Sequence, residues 1–349
     1  MFRTRFRPSS FLRPFLALGL LAAPACDEEE APVVESADLR KQELDARCEY
    51  LVRCGFMPDA DTCHASQSYD QSVVQALGGT SFDRAGYDEE AAAKWLDTLR
   101  ELSCDATTEN ARLYAEARAP VFAGRIEVGG SCFADDECEG DAVCDRAACP
   151  GDQLCCTGEC VERRVLGVGE RCPLPQDGVR LTAACEDTAY CQLPPDDGSG
   201  MPPAEGTCQV RSDNGLPCDQ VDGCLDGQRC DQGGTNNCYK LSASGEMCNP
   251  ALQRGSCIGI NDVCSPSSSE CVIAPGPGEA CVQGQCAGWA RCQDDGMGNQ
   301  TCVGLLRAGE ACDGSIPCLG DLYCRDGSCQ LASTLLVCVE GDPPAPPPM

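Results

Sequence analysis

The chain is poor in the residues that build a large apolar core: its 349 positions hold only 2 Trp, 8 Phe and 7 Tyr. It has a single histidine, His64, and no C-x-x-C pair. A Ser-His-Asp or Cys-His hydrolytic site needs a histidine base, and His64 stands beside Cys63 in a small segment without a nucleophile elbow. Structural zinc sites pair C-x-x-C clips, often with His, so a zinc array is excluded as well. No D-x-[DN]-x-[DN]-G loop ending in Glu is present, although Asp135, Asp136, Glu137 and Glu139, or Asp196 and Asp197, offer hard oxygen ligands for weak calcium binding. Cations are also scarce, 26 Lys and Arg against 55 Asp and Glu for a net charge of −29. Phosphate backbones repel such a chain, which excludes nucleic acid as a partner. No run approaches the roughly 20 apolar residues of a membrane-spanning helix. These absences together predict a protein that is not an enzyme and carries no cofactor.

What is abundant is Cys (33), Gly (37) and Pro (24). Cysteine at this density marks a disulfide scaffold, since reducing cytosol keeps thiols open and an oxidising compartment closes them. The N-terminus agrees. Arg3, Arg5, Arg7 and Arg13 make a basic region, and Phe15 to Ala23 (FLALGLLAA) is an apolar core of nine residues, the pattern of a signal peptide over 1–25. The segment Ala22-Ala23-Pro24-Ala25-Cys26 resembles a bacterial lipobox, which implies a lipidated Cys26 at the mature N-terminus and membrane attachment through that lipid. The alternative is ordinary cleavage near Ala25, leaving a soluble secreted chain. Parity favours the lipid, because setting Cys26 aside leaves 32 cysteines that can pair completely.

An acidic tether over 26–35 leads into a stretch, 36–122, that reads as a small α-helical domain with four cysteines. Leu39, Leu44, Cys48, Leu51 and Val52 fall near helical spacing, and Asp61 is placed to cap a second helix running to Leu77. Asp88 to Ser103 is the clearest helix, with Asp88 as cap, Glu89 and Glu90 in the first turn, and Ala92, Trp95, Leu99 and Leu102 on one face. A further helix over Glu109 to Arg118 is stopped by Pro120. Cys48, Cys54, Cys63 and Cys104 suffice for two disulfides, with three pairings open.

From Gly129 the helical period vanishes and a repeat takes over. A Gly stands three residues before a Cys six times, at Gly129/Cys132, Gly169/Cys172, Gly215/Cys218, Gly245/Cys248, Gly278/Cys281 and Gly309/Cys312. A second and third Cys follow at Cys138/Cys144, Cys185/Cys191, Cys224/Cys230, Cys257/Cys264, Cys286/Cys292 and Cys318/Cys324, enclosing five residues in five modules and six in the other. The modules close at Cys160, Cys208, Cys238, Cys271, Cys302 and Cys329. The first gap varies from four residues to twelve, so it reads as loop, whereas the middle spacing is rigid. Turn-forming runs such as Asp196 to Gly200, Gly233 to Asn237 and Asp294 to Gly298 predict a short β-hairpin at the end of each module. The modules span 129–166, 167–211, 212–242, 243–275, 276–305 and 306–338, and 339–349 is a Pro-rich tail expected to be disordered. The fold class expected is thus small disulfide-rich modules with short β-hairpins in tandem, preceded by a small α-helical domain. Modules of 30 to 46 residues cannot stand on apolar burial, and two disulfides each, at about 2 to 4 kcal/mol apiece, offset the missing core.

The recurring pattern, as in Ala308-Gly-Glu-Ala-Cys312 followed by Cys318, Leu322-Tyr323-Cys324 and Gly327-Ser328-Cys329, resembles the Dickkopf N-terminal cysteine-rich domain. That resemblance implies secretion, disulfides and a binding role. With the lipobox and helical domain, the whole is similar to cysteine-rich lipoproteins of Gram-negative bacteria. In the first module Cys149, Cys155 and Cys156 are inserted before Cys160, an adjacent pair that resembles whey-acidic-protein and knottin inhibitors. The eighth Cys of the whey-acidic arrangement is missing locally, and Cys338 is the distant candidate to replace it. The expectation is a non-catalytic lipoprotein of the cell surface or periplasm, an elongated stalk whose variable loops recognise a protein or polysaccharide partner. The competing expectation is a secreted inhibitor of a protease or another enzyme.

Overall fold

Asp59, Asp70 and Asp88 each accept a backbone N–H with a side-chain oxygen and so start three of the five α-helices among the described residues. These are α1 (Ser36–Arg53), α2 (Ala60–Ser66), α3 (Gln71–Ser81), α4 (Glu89–Glu101) and α5 (Thr108–Arg118), the last capped by Thr107. The computed structural model describes residues 32–146, 155–173, 183–194, 205–220, 223–232, 234–252, 256–294, 296–331 and 337–338. The signal segment, Cys26, Cys149, the Asp196 to Gly200 turn and the 339–349 tail lie outside them.

The helix expected from Asp61 to Leu77 is two helices. Asp59, not Asp61, is the cap, donated to by the Thr62 amide at 2.7 Å, and Asp61 sits in the first turn. The chain leaves helical geometry at Gln67, and Asp70 restarts it by accepting the Ser72 amide and hydroxyl at 2.7 and 2.6 Å. Two local Asx caps outcompeted one longer helix.

Trp95 of α4 is fully buried among Leu39, Val73, Ala76, Leu96, Leu99 and Phe122, with its ring edge-on to Tyr114 at 5.9 Å. Strands β1 (Ala85–Tyr87) and β2 (Phe122–Gly124) pair antiparallel, a short ribbon the helical period did not reveal. Cys48–Cys63 ties α1 to α2, and Cys54–Cys104 ties the end of α1 to the segment after α4.

Beyond residue 129 the same frame recurs six times. First bonds third and second bonds fourth: Cys132–Cys144 with Cys138–Cys160, Cys172–Cys191 with Cys185–Cys208, Cys218–Cys230 with Cys224–Cys238, Cys248–Cys264 with Cys257–Cys271, Cys281–Cys292 with Cys286–Cys302, and Cys312–Cys324 with Cys318–Cys329. Third and fourth cysteines stand opposite one another on an antiparallel hairpin in every module, as in Cys292 against Cys302. Directly opposed residues share a face, so both sulfurs point to the same side and clamp the segment carrying the first and second cysteines. The expected hairpins and disulfide-rich modules are present.

The modules do not extend from the helices as a stalk. Among the described residues, five of them touch the helical layer. Module 1 brings Asp136 and Glu137 against Arg118 and Arg84, and the Asp226 carboxylate of module 3 accepts the Thr108 amide at 2.8 Å. In module 4 Asn261 donates to the Gly55 carbonyl at 2.9 Å, and Ile260 donates to the Cys104 carbonyl at 2.8 Å. Trp289 of module 5 and Leu319 of module 6 pack with Leu44, Cys48, Met57 and Cys63 in a second apolar cluster. Cys155 of module 1 bonds Cys338, 183 residues on, which closes the array covalently. The sequence treated each module as self-sufficient; the helices' outer face, apolar at Leu44 and Met57, needs the modules as its cover.

Candidate functional site

The six module frames hold loops of unequal length in one geometry. Each opening glycine has positive φ, between 79° and 90°, and its amide donates to the closing cysteine's carbonyl at 2.8 Å, as for Gly129 and Cys160 or Gly309 and Cys329. A side chain there would be strained, which is why glycine recurs. The residue after it is Glu in four modules, Glu170, Glu246, Glu279 and Glu310, and its carboxylate accepts the backbone amide three residues upstream at 2.6 to 3.0 Å. The G-E-x-C signal was present in the sequence, but its carboxylate reads as surface charge until the turn is seen.

All the described cysteines are disulfide-bonded, Cys156 included. Within modules the sulfurs gather to within 4.8 Å, as at Cys132, Cys138 and Cys160, where two disulfides cross rather than presenting thiolates. Three of the acids offered as calcium ligands, Asp135, Asp136 and Glu137, have other partners. Glu137, fully buried, takes Arg84 through Nε at 3.0 Å and the Phe133 amide at 2.9 Å. Asp136 takes Arg118 through two bonds at 3.0 and 2.8 Å, and Asp135 accepts the Cys144 amide at 3.0 Å. Asp196 and Asp197 lie outside the described residues. His64 is exposed, its Nε2 2.9 Å from an Asp45 oxygen.

Two of the concave places among the described residues bear on the site. One is a cleft of about 860 Å³ at the junction of modules 2 and 3, lined by Arg171, Gln192, Glu205, Asp219 and Gln220. Asp219 accepts the Tyr190 hydroxyl at 2.7 Å, which pushes the tyrosine's pKa up after burial has already raised it. The other is a cavity of about 400 Å³ where α1, α4 and α5 meet module 4, with Glu43, Tyr50, Asp70, Leu99, Tyr114 and Ile260 among its walls. Glu43 is 1% exposed, and burial pushes its carboxyl up to about 7 against the pull of Arg47. Its Oε1 lies 3.1 Å from Arg47 Nε, while Oε2 has no hydrogen-bond partner. Burial likewise holds the Tyr114 hydroxyl up at about 12. Glu43 stands four residues after Leu39 and so on the same face of α1, a spacing the sequence carried without marking this acid apart from its exposed neighbours.

These features define a disulfide-rich, multi-module chain built in an oxidising compartment. Among the described residues no helix is long and apolar enough to cross a membrane. Comparison with protein-family models, curated proteins and solved structures finds no match to this chain.

Proposed function

We propose that this protein is a non-catalytic, exported lipoprotein scaffold that binds a protein or polysaccharide partner through the loops of its modules. The observation that carries this reading is a frame identical in pairing and hairpin register six times over, bearing first gaps of four to twelve residues. Constant frames with variable loops are the architecture of recognition surfaces. The cleft between modules 2 and 3 is the first place to look for a partner. The Dickkopf-like spacing supports the same reading at the level of secretion and binding.

Attachment through Cys26 is supported by the cysteine count: the 31 described cysteines are all bonded, an odd number that takes one more cysteine and leaves one over. The lipobox claims Cys26 for that place. The inhibitor reading draws on the adjacent Cys155 and Cys156, yet Cys155 bonds Cys338 rather than a local partner, so the local cluster lacks an inhibitor's own closure.

The test is intact mass of the mature protein from its native host, with and without reduction and alkylation, followed by binding of labelled protein to host cells lacking the gene. A chain starting at an acylated Cys26, with no free thiols, and cell retention lost on swapping the Cys172–Cys185 loop for the Cys281–Cys286 loop is the expected result. A lipid-free chain rejects the anchor. Retention indifferent to every loop swap, or strong inhibition across a serine-protease panel, rejects the recognition scaffold.

A further inference from the structure

The cavity between the helices and module 4 has the volume and chemistry of a ligand site rather than a packing gap. Its 400 Å³ falls within the roughly 300 to 1,000 Å³ of small-molecule pockets. The walls are largely apolar, from Leu51, Leu99, Leu102 and Ile260, with the rings of Tyr50 and Tyr114 beside them. The charged groups in the wall are three acids, Glu43, Asp70 and Asp105, against one cation, Arg47. Asp70 is engaged by the Ser72 amide and hydroxyl, and Arg47 donates to the Ser68 carbonyl while its Nε stands 3.1 Å from Glu43 Oε1 without a hydrogen bond of its own. Glu43 Oε2 is left as a buried acceptor without a hydrogen-bond partner, a state relieved by any donor placed there.

We propose that this cavity binds a small organic ammonium cation, with the charged head on the Glu43 carboxylate and the apolar body against Leu99, Tyr114 and Ile260. An ammonium group supplies the missing donor and neutralises an acid-rich wall, and aromatic rings favour cations. An anion would meet three carboxylates. This site is separate from the module loops and stands or falls apart from them.

Because burial holds the Glu43 proton up to about 7, with the Asp70 charge assisting and Arg47, the Asp70 amide and Arg118 opposing, ammonium binding displaces a proton near neutrality. The experiment is calorimetric titration of the full oxidised chain with phenethylammonium, and with neutral 2-phenylethanol, at pH 6 and pH 8. The expected result is binding of phenethylammonium about tenfold tighter at pH 8, following the ionised fraction of a group near 7, and much weaker, pH-independent binding of the alcohol. Glu43→Gln should abolish both the pH dependence and the preference for the cation. Ala111→Trp, at an exposed position in the cavity wall, should block both probes without touching the buried carboxylate. No saturable heat from phenethylammonium at millimolar concentration and pH 8, equal affinity for the alcohol at pH 8, or undiminished binding in Ala111→Trp would each overturn the proposal.

Discussion

Cys155 and Cys338 are 183 residues apart in sequence and joined by a disulfide, their Cα atoms 5.2 Å from each other. The Cys338 amide donates to Gln75 Oε1 at 2.8 Å, and Gln75 returns a bond to the Cys338 carbonyl at 3.3 Å, so the closure is anchored on α3. A loop this long restricts the unfolded chain more than any module disulfide, about 5 kcal/mol against about 3 kcal/mol in the chain-entropy account. The double substitution Cys155→Ser with Cys338→Ser should lower unfolding stability by about 3 to 5 kcal/mol in urea titration, with every module disulfide still formed by mass. A loss below about 1 kcal/mol would mean that the closure is incidental to the fold.

Arg84 is the cation of a buried pair whose acid, Glu137, is fully enclosed. The same guanidinium donates to the Ser131 carbonyl at 2.6 Å and lies over the Phe133 ring at 5.2 Å. Arg84→Ala should therefore cost about 3 to 5 kcal/mol, because it strands a carboxylate out of water, whereas replacing both partners by Met and Leu should cost much less. A double-mutant cycle measures the difference, and simple additivity of the two single losses would show that the pair is not coupled.

How far the sequence reaches is clear from particular residues. The cysteine framework, the α4 helix with its Asp88 cap, and the terminal hairpins follow from local patterns: spacing, a capping acid, turn residues. Those are signals carried by residues close together in the chain. Arg84 with Glu137, Asn261 with Gly55 and Asp321 with Ser68 join residues 53, 206 and 253 positions apart, and no local period announces them. The stalk expectation failed for that reason. Each module looked complete when counted by its own disulfides, while the apolar side chains that seat modules 5 and 6, Trp289 and Leu319, are single residues inside polar sequence. Glu43 was invisible for a related reason, since an acid on a helix reads as solvated until its face is covered.

Gly124 ends β2 directly against module 1, where a Cβ would run into the backbone carbonyl of Cys138. The obstacle is main chain, held by the Cys138–Cys160 disulfide, so it cannot swing aside as a side chain would. Gly124→Ala should destabilise the protein by about 1 to 3 kcal/mol and raise amide exchange at Arg125 and Ile126, whose N–H groups both donate to the Glu137 carbonyl. Unchanged exchange at those two amides would show that module 1 does not depend on this close approach.

Glu43 gives the fold a pH dependence that can be separated from that of its other acids. Its carboxyl is held up at about 7, chiefly by burial, so in the folded state it keeps a proton that the unfolded chain releases at the ordinary glutamate value. Raising pH through that interval takes protons from the unfolded state first, and stability falls by about 3 kcal/mol between roughly pH 4.5 and 7, then levels off. Asp70 and Asp219 act in the opposite sense, since hydrogen bonds hold their carboxyls below the usual range, and their contribution is lost only as pH drops below about 4. Burial also raises the Asp262 carboxyl, which acts in the same sense as Glu43, so the comparison of Glu43→Gln with the unaltered chain between pH 5 and 8 is what isolates Glu43. Glu43→Gln should be more stable than the unaltered chain by about 2 to 3 kcal/mol at pH 8 and nearly equal to it at pH 5, by urea unfolding. Parallel stability curves for the two proteins across that window would mean that burial does not hold the Glu43 proton.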